Sequence, residues 1–220
     1  MVIAIDGPAG AGKSTVAKAV ASRLGLRYLD TGAMYRCAAL LAERSGLSPA
    51  DATSIAALLA DATIAFSPDD PPRVYLDAED VTKEIRAPHI SELASQISTH
   101  PEVRRELVRR QQALVAQDNV TLEGRDTTTV IAPHADVKIF LTASLEVRAR
   151  RRWEELRAKG QDLDFHDLNA QIQQRDERDA ARTESPLTIA EDAHVLDTDN
   201  LGIEAVVDRI VSIARESMSS

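Results

Sequence analysis

The chain opens with four consecutive apolar residues, Val2 to Ile5, closed by Asp6 and a glycine-rich stretch. A short unbroken apolar run bounded by glycine predicts a strand buried on both faces, as in a parallel sheet. From residue 14 to 24 the apolar positions Val16, Ala17, Val20 and Leu24 recur at helical spacing, and Gly25 supplies the stop. Further short runs at Tyr28-Leu29, Val120–Glu123, Val137–Leu141 and His194–Asp197 predict four more strands. Helical patterns fall at about 32–44, 51–60 (begun by Asp51), 88–99, 102–117 (opened by Pro101), 144–159, 165–182 and 202–217. Strands alternating with helices of this length predict a parallel sheet covered on both faces.

Residues 62–100 break the alternation. Ala62–Phe66 and Arg73–Asp77 read as two strands joined by a proline and aspartate turn, Ser67–Pro72. A hairpin inside a strand–helix chain is expected to be an inserted subdomain. The expected division is a core of 1–60, 101–156 and 188–220, an insert at 61–100 and a mobile lid at 157–187. The helical stripe Leu145, Ala149, Trp153, Leu156 reads as core packing. The tail Glu216–Ser220 is expected to fray.

Composition narrows the classes. At 220 residues, 44% hydrophobic and 28% charged, the chain can build a real core and is not disordered over most of its length. No apolar run approaches the ~18 residues of a membrane span, and Met1–Ile5 carries no basic region of a signal peptide. The single cysteine, Cys37, cannot form an internal disulfide, which fits a reducing, cytoplasmic setting. It is expected to be a buried, inert thiol. A net charge of −9 and scarce aromatic residues argue against a nucleic-acid-coating protein. The five histidines show no metal-ligand spacing and are expected at the surface or at caps. The basic residues are lopsided, 21 Arg against 5 Lys, and arginine grips phosphate through a planar fork. The helical cluster Arg148, Arg150, Arg151, Arg152 is expected to face mostly solvent.

Gly7-Pro-Ala-Gly-Ala-Gly-Lys-Ser14 satisfies G-x-x-x-x-G-K-[ST], with a strand expected before it and a helix after it. In such a P-loop the glycines let successive amides point at one anion, and the helix N-terminus adds partial positive charge. Lys13 would reach the β and γ phosphates, and Ser14 would offer its hydroxyl to Mg²⁺. A nucleoside triphosphate is therefore expected, with three possible uses. A GTP switch needs N-K-x-D, which is missing, and the only D-x-x-G, Asp199–Gly202, comes too late. A motor usually has a strand ending in a metal-facing carboxylate, whereas Val137–Leu141 runs into Thr142; Val195-Leu-Asp197 leaves that option partly open. A small-molecule kinase needs a second anion site facing the first.

Candidates for that second site lie at three places. Asp30-Thr31-Gly32-Ala-Met-Tyr35-Arg36 begins a helix, and reads equally as an ordinary N-cap with a surface arginine. Gly124-Arg125-Asp126 follows a strand, at the carboxyl edge where open α/β sheets bind ligands. Arg175, Asp179 and Arg182, at i, i+4 and i+7, share a helix face, as a solvated charge ladder would also.

Taken together, Gly-Pro-Ala-Gly-Ala-Gly-Lys-Ser at 7–14, Leu-Asp-Thr-Gly-Ala-Met-Tyr-Arg at 29–36, Gly-Arg-Asp at 124–126 and Arg-Asp-x-x-Asp-x-x-Arg-x-x-x-Pro-Leu at 175–187 resemble bacterial cytidylate kinase over nearly the whole chain. The resemblance implies an α/β P-loop three-layer sandwich, a central parallel sheet flanked by helices. It also implies a small inserted subdomain with antiparallel strands that binds the nucleoside monophosphate, and a mobile lid. It implies phosphoryl transfer from ATP to CMP or dCMP with Mg²⁺, giving ADP and CDP or dCDP, in a cytoplasmic enzyme expected to be a monomer without nucleic-acid or membrane partners.

By position, the resemblance assigns Gly7, Pro8, Ala9, Gly10, Ala11, Gly12, Lys13, Ser14 and Thr15 to ATP, with Ser14 toward Mg²⁺, partly through water. It assigns Asp126 as acceptor, and Arg104 and Ser95 as donors, for the cytosine ring. Arg175 with Asp179 would hold the sugar hydroxyls, and Thr31, Arg36, Arg125 and Arg182 would ring the monophosphate and the transferred group. Lys13, Arg125 and Arg182 are the implied catalytic residues. One departure stands out: many relatives carry glycine two residues after that aspartate, where this chain has Thr128. If that glycine has positive φ, Thr128 requires another backbone path. A kinase for another acceptor, such as UMP or a coenzyme precursor, and a non-enzymatic nucleotide-dependent regulator both stay open.

Overall fold

The computed structural model describes every residue except Pro68, Asp70, Pro71, Asp118, Lys159, Asp162, Ser219 and Ser220. It divides into two compact units, Met1–Leu29 with Asp118–Ser220, and Asp30–Gln117.

The first unit is built on a five-stranded sheet of order β2-β6-β1-β7-β8: β1 (Val2–Asp6), β2 (Arg27–Asp30), β6 (Val120–Glu123), β7 (Val137–Thr142) and β8 (His194–Asp197). Strand β1 pairs in parallel with β6, Ile5 opposite Glu123, and with β7, Asp6 opposite Phe140. Helix α1 (Lys13–Leu24) and helix α8 (Ile203–Ser217) pack a common apolar layer with β1 and β7, in which Ile3, Ile5, Val16, Val20, Ile139, Val207 and Ile210 are buried. Helices α6 (Leu145–Ala158) and α7 (Phe165–Ala180) form a second cluster, where Ala149, Leu156, Leu168 and Ile172 pack with Leu145, Trp153 and Phe165. The stripe read as core is thus core. Apolar runs without alternation become central strands because both faces are covered.

Some boundaries differ from the reading of the sequence. Helix α7 ends at Ala180, so Arg182 lies beyond the helix rather than on its face. Helix α8 is continuous to Ser217, so the tail is ordered to that point; the last two positions of the expected frayed tail lie outside the described residues. The arginine cluster on α6 is only partly a solvent face. The Arg148 side chain is 8% exposed and bonded to backbone carbonyls, and Arg151 bonds Thr198, whereas Arg150 and Arg152 pair with nearby glutamates in solvent.

The second unit packs α2 (Thr31–Arg44), α3 (Ala52–Asp61), α4 (Pro88–Ile97) and α5 (Pro101–Val115) with a three-stranded antiparallel sheet, β3 (Ile64–Phe66), β4 (Val74–Leu76) and β5 (Glu79–Asp80). Cys37 is fully buried in its core, and burial pushes the thiol pKa up to about 12, so it is inert as expected. Part of the expected Ser67–Pro72 turn lies outside the described residues; Ser67 N–H donates to Arg73 O at 2.9 Å across it. The third strand was not foreseen. The chain reverses between β4 and β5 through Asp77 and Ala78 at φ 49° and 68°, the backbone of a two-residue hairpin turn usually written with glycine. His89, His134, His166 and His194 are exposed, and His100 stands at the start of α5. No helix among the described residues is long and apolar enough to cross a membrane.

Candidate active site

In the first unit the site begins where β1 ends. At Gly7, φ 149°, a Cβ would stand 2.0 Å from the Leu141 carbonyl oxygen; at Gly10, φ 78°, it would stand 3.1 Å from the Arg148 Cβ. The loop presses on β7 and α6 so closely that only glycine fits. It delivers Lys13 and Ser14 to the first turn of α1, where amides and the helix dipole favour an anion. Lys13 is 5% exposed and its Nζ donates to Pro8 O at 2.8 Å. Burial first, then the positive charges of Arg125 and Arg175, lower its pKa from 10.5 to about 7, with Glu123 and Asp179 opposing. Ser14 Oγ donates to Glu123 Oε1 at 2.6 Å, and Tyr28 OH to the same oxygen at 3.2 Å.

Asp6, the last residue of β1, is fully buried. Its Oδ1 accepts Thr127 N–H (2.9 Å) and Oγ1–H (2.7 Å), and its Oδ2 accepts Thr128 N–H (2.8 Å) and Oγ1–H (2.7 Å). Burial raises the carboxyl pKa while the four donors oppose the rise. This clamp resolves the Thr128 departure. Residues Thr127–Ile131 form a π-helical turn, and Thr128 does not adopt positive φ. The threonine takes a right-handed path and its hydroxyl adds a bond to Asp6.

Arg125 and Asp126 immediately precede that turn. Arg125 Nε donates to Asp179 Oδ2 at 2.7 Å, and Arg182 Nη2 donates to Asp179 Oδ1. Asp179 is 1% exposed; burial would raise its pKa, but Arg125, Arg182 and Arg175 hold it below the usual carboxylate range. The structure thus gathers Lys13, Arg125, Arg175, Asp179 and Arg182 into one electrostatic cluster, with Asp126 buried beside Arg125. Asp179 meets two guanidiniums with its two oxygens, so sugar hydroxyls would have to share it.

In the second unit Thr31 opens α2 behind its N-cap, Asp30, which accepts Ala33 N–H at 3.0 Å. Asp30 also accepts Arg36 Nη2 at 2.6 Å and Arg86 Nη2 at 3.0 Å. Burial works against its charge, yet Arg36 and then Arg86 keep its pKa low. Ser95 on α4 and Arg104 on α5 are buried. Arg104 lies 5.3 Å over the Tyr35 ring and donates to Ser98 O at 3.1 Å. Gln111, two turns beyond Arg104, donates to Thr31 O at 3.3 Å.

Sequence reasoning missed several of these groups. Asp6 and Glu123 end strands at the ligand-binding edge of the sheet, which was a readable signal. Asp176 stood inside the motif at 175–187 but received no role, and Arg86 and Gln111 carried no signal, because their partners are remote in sequence.

The sequence profile of the cytidylate kinase family matches residues 3–216. A cytidylate kinase of Geobacter sulfurreducens is 49% identical over 98% of this chain and 93% of its own. One of Carboxydothermus hydrogenoformans is 48% identical over 97% and 96%. A bifunctional pantoate ligase/cytidylate kinase of Synechococcus is 47% identical over 98% of the chain, which spans 41% of that longer protein. Among solved structures, an uncharacterized protein of Eubacterium ventriosum aligns over 98% of both chains at TM-score 0.57 and 12% identity. A gluconokinase of Sinorhizobium meliloti aligns over 99% and 94% at TM-score 0.51 and 16% identity. These two likenesses concern the fold alone.

Proposed function

Because the chain belongs to the cytidylate kinase family of nucleoside monophosphate kinases, we propose that it transfers the γ-phosphoryl group of ATP to CMP or dCMP, giving ADP and CDP or dCDP. The observation that carries this reading is the basic cluster at the P-loop: the buried Lys13 amine within electrostatic reach of Arg125 and Arg175, with Arg125 and Arg182 both on Asp179. An ATP-hydrolysing motor has no need of three arginines there; a transfer between two anionic nucleotides does.

The roles follow from chemistry. The P-loop from Gly7 to Thr15 takes the triphosphate. Proline has no amide hydrogen and Ala9 N–H donates to Asp176, so the cradle of amides starts at Gly10. Ser14 Oγ and Glu123 Oε1 are adjacent hard oxygen donors, which suits Mg²⁺. When bound, the ion would draw charge from the phosphate oxygens. Arg36 and Thr31, with Arg125 and Arg182, serve the monophosphate and the migrating group. Asp126 accepts the cytosine amine, Ser95 and Arg104 donate to the ring, and Arg175 with Asp179 serves the sugar. The attacking phosphate oxygen is already ionised, so no general base is required. Alignment and neutralised charge do the work. The segment 157–187 acts as a lid that excludes water and keeps ATP from hydrolysis.

The test is coupled ADP release with CMP, dCMP, UMP, AMP or no acceptor. CMP and dCMP should drive rapid release, UMP much less, and the blank almost none. Release that does not depend on CMP would overturn the reading.

A further inference from the structure

Asp176 stands inside the Arg-Asp-x-x-Asp-x-x-Arg motif, yet none of the roles above falls on it. In the structure its Oδ1 accepts the backbone N–H of Ala9, in the P-loop, at 2.9 Å. Its Oδ2 accepts Arg148 Nη1, and that same nitrogen donates to Ala9 O at 2.9 Å. Arg148 Nε donates to Ala143 O, just past β7, at 2.9 Å. Both polar groups of the Ala9 backbone are thus held by side chains of two later helices. Neither side chain is a solvent pair: the exposures are 8% for Arg148 and 19% for Asp176.

We infer that Asp176 and Arg148 are a positioning pair, which fixes the C-terminal third of α7 to the P-loop so that Arg175, Asp179 and Arg182 keep their places in the cluster around Lys13. Three geometric facts carry it. Asp176 is one residue from Arg175 and three from Asp179 on the same helix, so a displacement at Asp176 is passed to both. The anchored atom, Ala9 N, lies four residues before Lys13 in the same loop. A Cβ on Gly10 would stand 3.1 Å from the Arg148 Cβ and 3.2 Å from its carbonyl oxygen, so the loop runs close against the turn of α6 that carries the arginine. The tether also limits the lid: α7 stays docked near its C-terminal end, and any closing motion must leave that point in place. A carboxylate in this position cannot be replaced by an arbitrary polar residue. It must accept from an amide with one oxygen and meet a guanidinium with the other, which an ionised aspartate does and a carboxamide does only in part.

This inference rests on the proposed phosphoryl transfer, and the experiment separates the two. Steady-state CMP phosphorylation is measured for wild type, Asp176→Asn, Arg148→Gln and the double variant, with melting temperatures alongside. Asp176→Asn is nearly isosteric and can still accept from Ala9, so it keeps the chain folded. Each single variant should lose about 10–100-fold in kcat, the scale of a misplacement near 1 Å, while the KM values for ATP and CMP move less than about 3-fold. The double variant should be no slower than the slower single one, because both act through one element. Asp176→Glu should recover part of the loss. Wild-type kcat in folded Asp176→Asn, or losses that multiply in the double variant, would overturn the pair's role while leaving the activity in place. A wild-type protein inactive on CMP would instead overturn the transfer reading and this inference with it.

Discussion

Lys13 offers the most direct test of the electrostatics. Its amine titrates at about 7 rather than 10.5, because burial and the nearby Arg125 and Arg175 charges disfavour the ammonium form. At pH 8 only ~10% of it is charged in the ligand-free protein, and at pH 6 ~90%. A polyphosphate placed against it restores full charge by direct pairing. Nucleotide binding should therefore draw in ~0.9 proton at pH 8 from this group and ~0.1 at pH 6. The assay is calorimetric titration with ADP at both pH values, each in several buffers of different ionisation enthalpy. The slope of observed heat against buffer ionisation enthalpy counts the protons. Lys13→Arg, which stays charged, supplies the baseline. Equal slopes for wild type and Lys13→Arg at pH 8 would refute the argument. The same shift fixes a sign for stability. Between pH ~7 and ~10.5 the unfolded chain holds a proton that the folded chain lacks, so stability rises with pH across that window. The rise, up to ~1.4 kcal/mol per pH unit, should vanish in Lys13→Met.

Other consequences are simpler to read. Asp6→Ala leaves two buried amides and two hydroxyls without their acceptor and should cost at least about 3 kcal/mol by urea unfolding, against about 1.5–3 kcal/mol for Thr128→Val. Ala78→Gly relieves a left-handed alanine at the β4–β5 reversal and should raise stability by about 1 kcal/mol, or about 2–4 °C in Tm, with unchanged kcat; a lower Tm would contradict the turn geometry. Asp126→Asn should narrow the ratio of kcat/KM for CMP over UMP, and a variant as selective as the parent would remove Asp126 from base reading.

What could be read in advance was whatever is local. The P-loop is a contiguous motif between a strand and a helix, and the apolar runs of β1 and β7 declare double-sided burial over only a few residues. The α6 stripe likewise follows from one period. What escaped depends on contacts closed by the fold. The Ala9–Asp176 bond spans 167 residues of sequence, and Thr128–Asp6 spans 122. An arginine in a run of four gave no sign that one member, Arg148, would be buried while Arg150 and Arg152 were not. The β4–β5 hairpin escaped for a different reason. Its turn is Asp-Ala, and nothing in alanine advertises positive φ; the Asp77 carboxylate, which accepts Thr63 N–H at 2.7 Å, ties that turn down.

An acidic chain that binds two anions must concentrate its positive charge, and the carboxylates show how. Asp30 meets Arg36 and Arg86; Asp179 meets Arg125 and Arg182, with Arg175 in electrostatic reach. Each cluster spends one negative charge to hold two or three positive ones in fixed orientation. Each therefore keeps a net positive charge of at least one while lowering the mutual repulsion of its arginines. A guanidinium already desolvated and aimed, as those of Arg36, Arg125 and Arg182 are and the half-exposed Arg86 is not, has less to lose when a phosphate arrives than one recruited from water. On this reasoning the buried aspartates are more than stabilising partners. Neutralising Asp179 as Asn would free its arginines to repel one another and drift, and phosphate binding would weaken even though the local positive charge had increased.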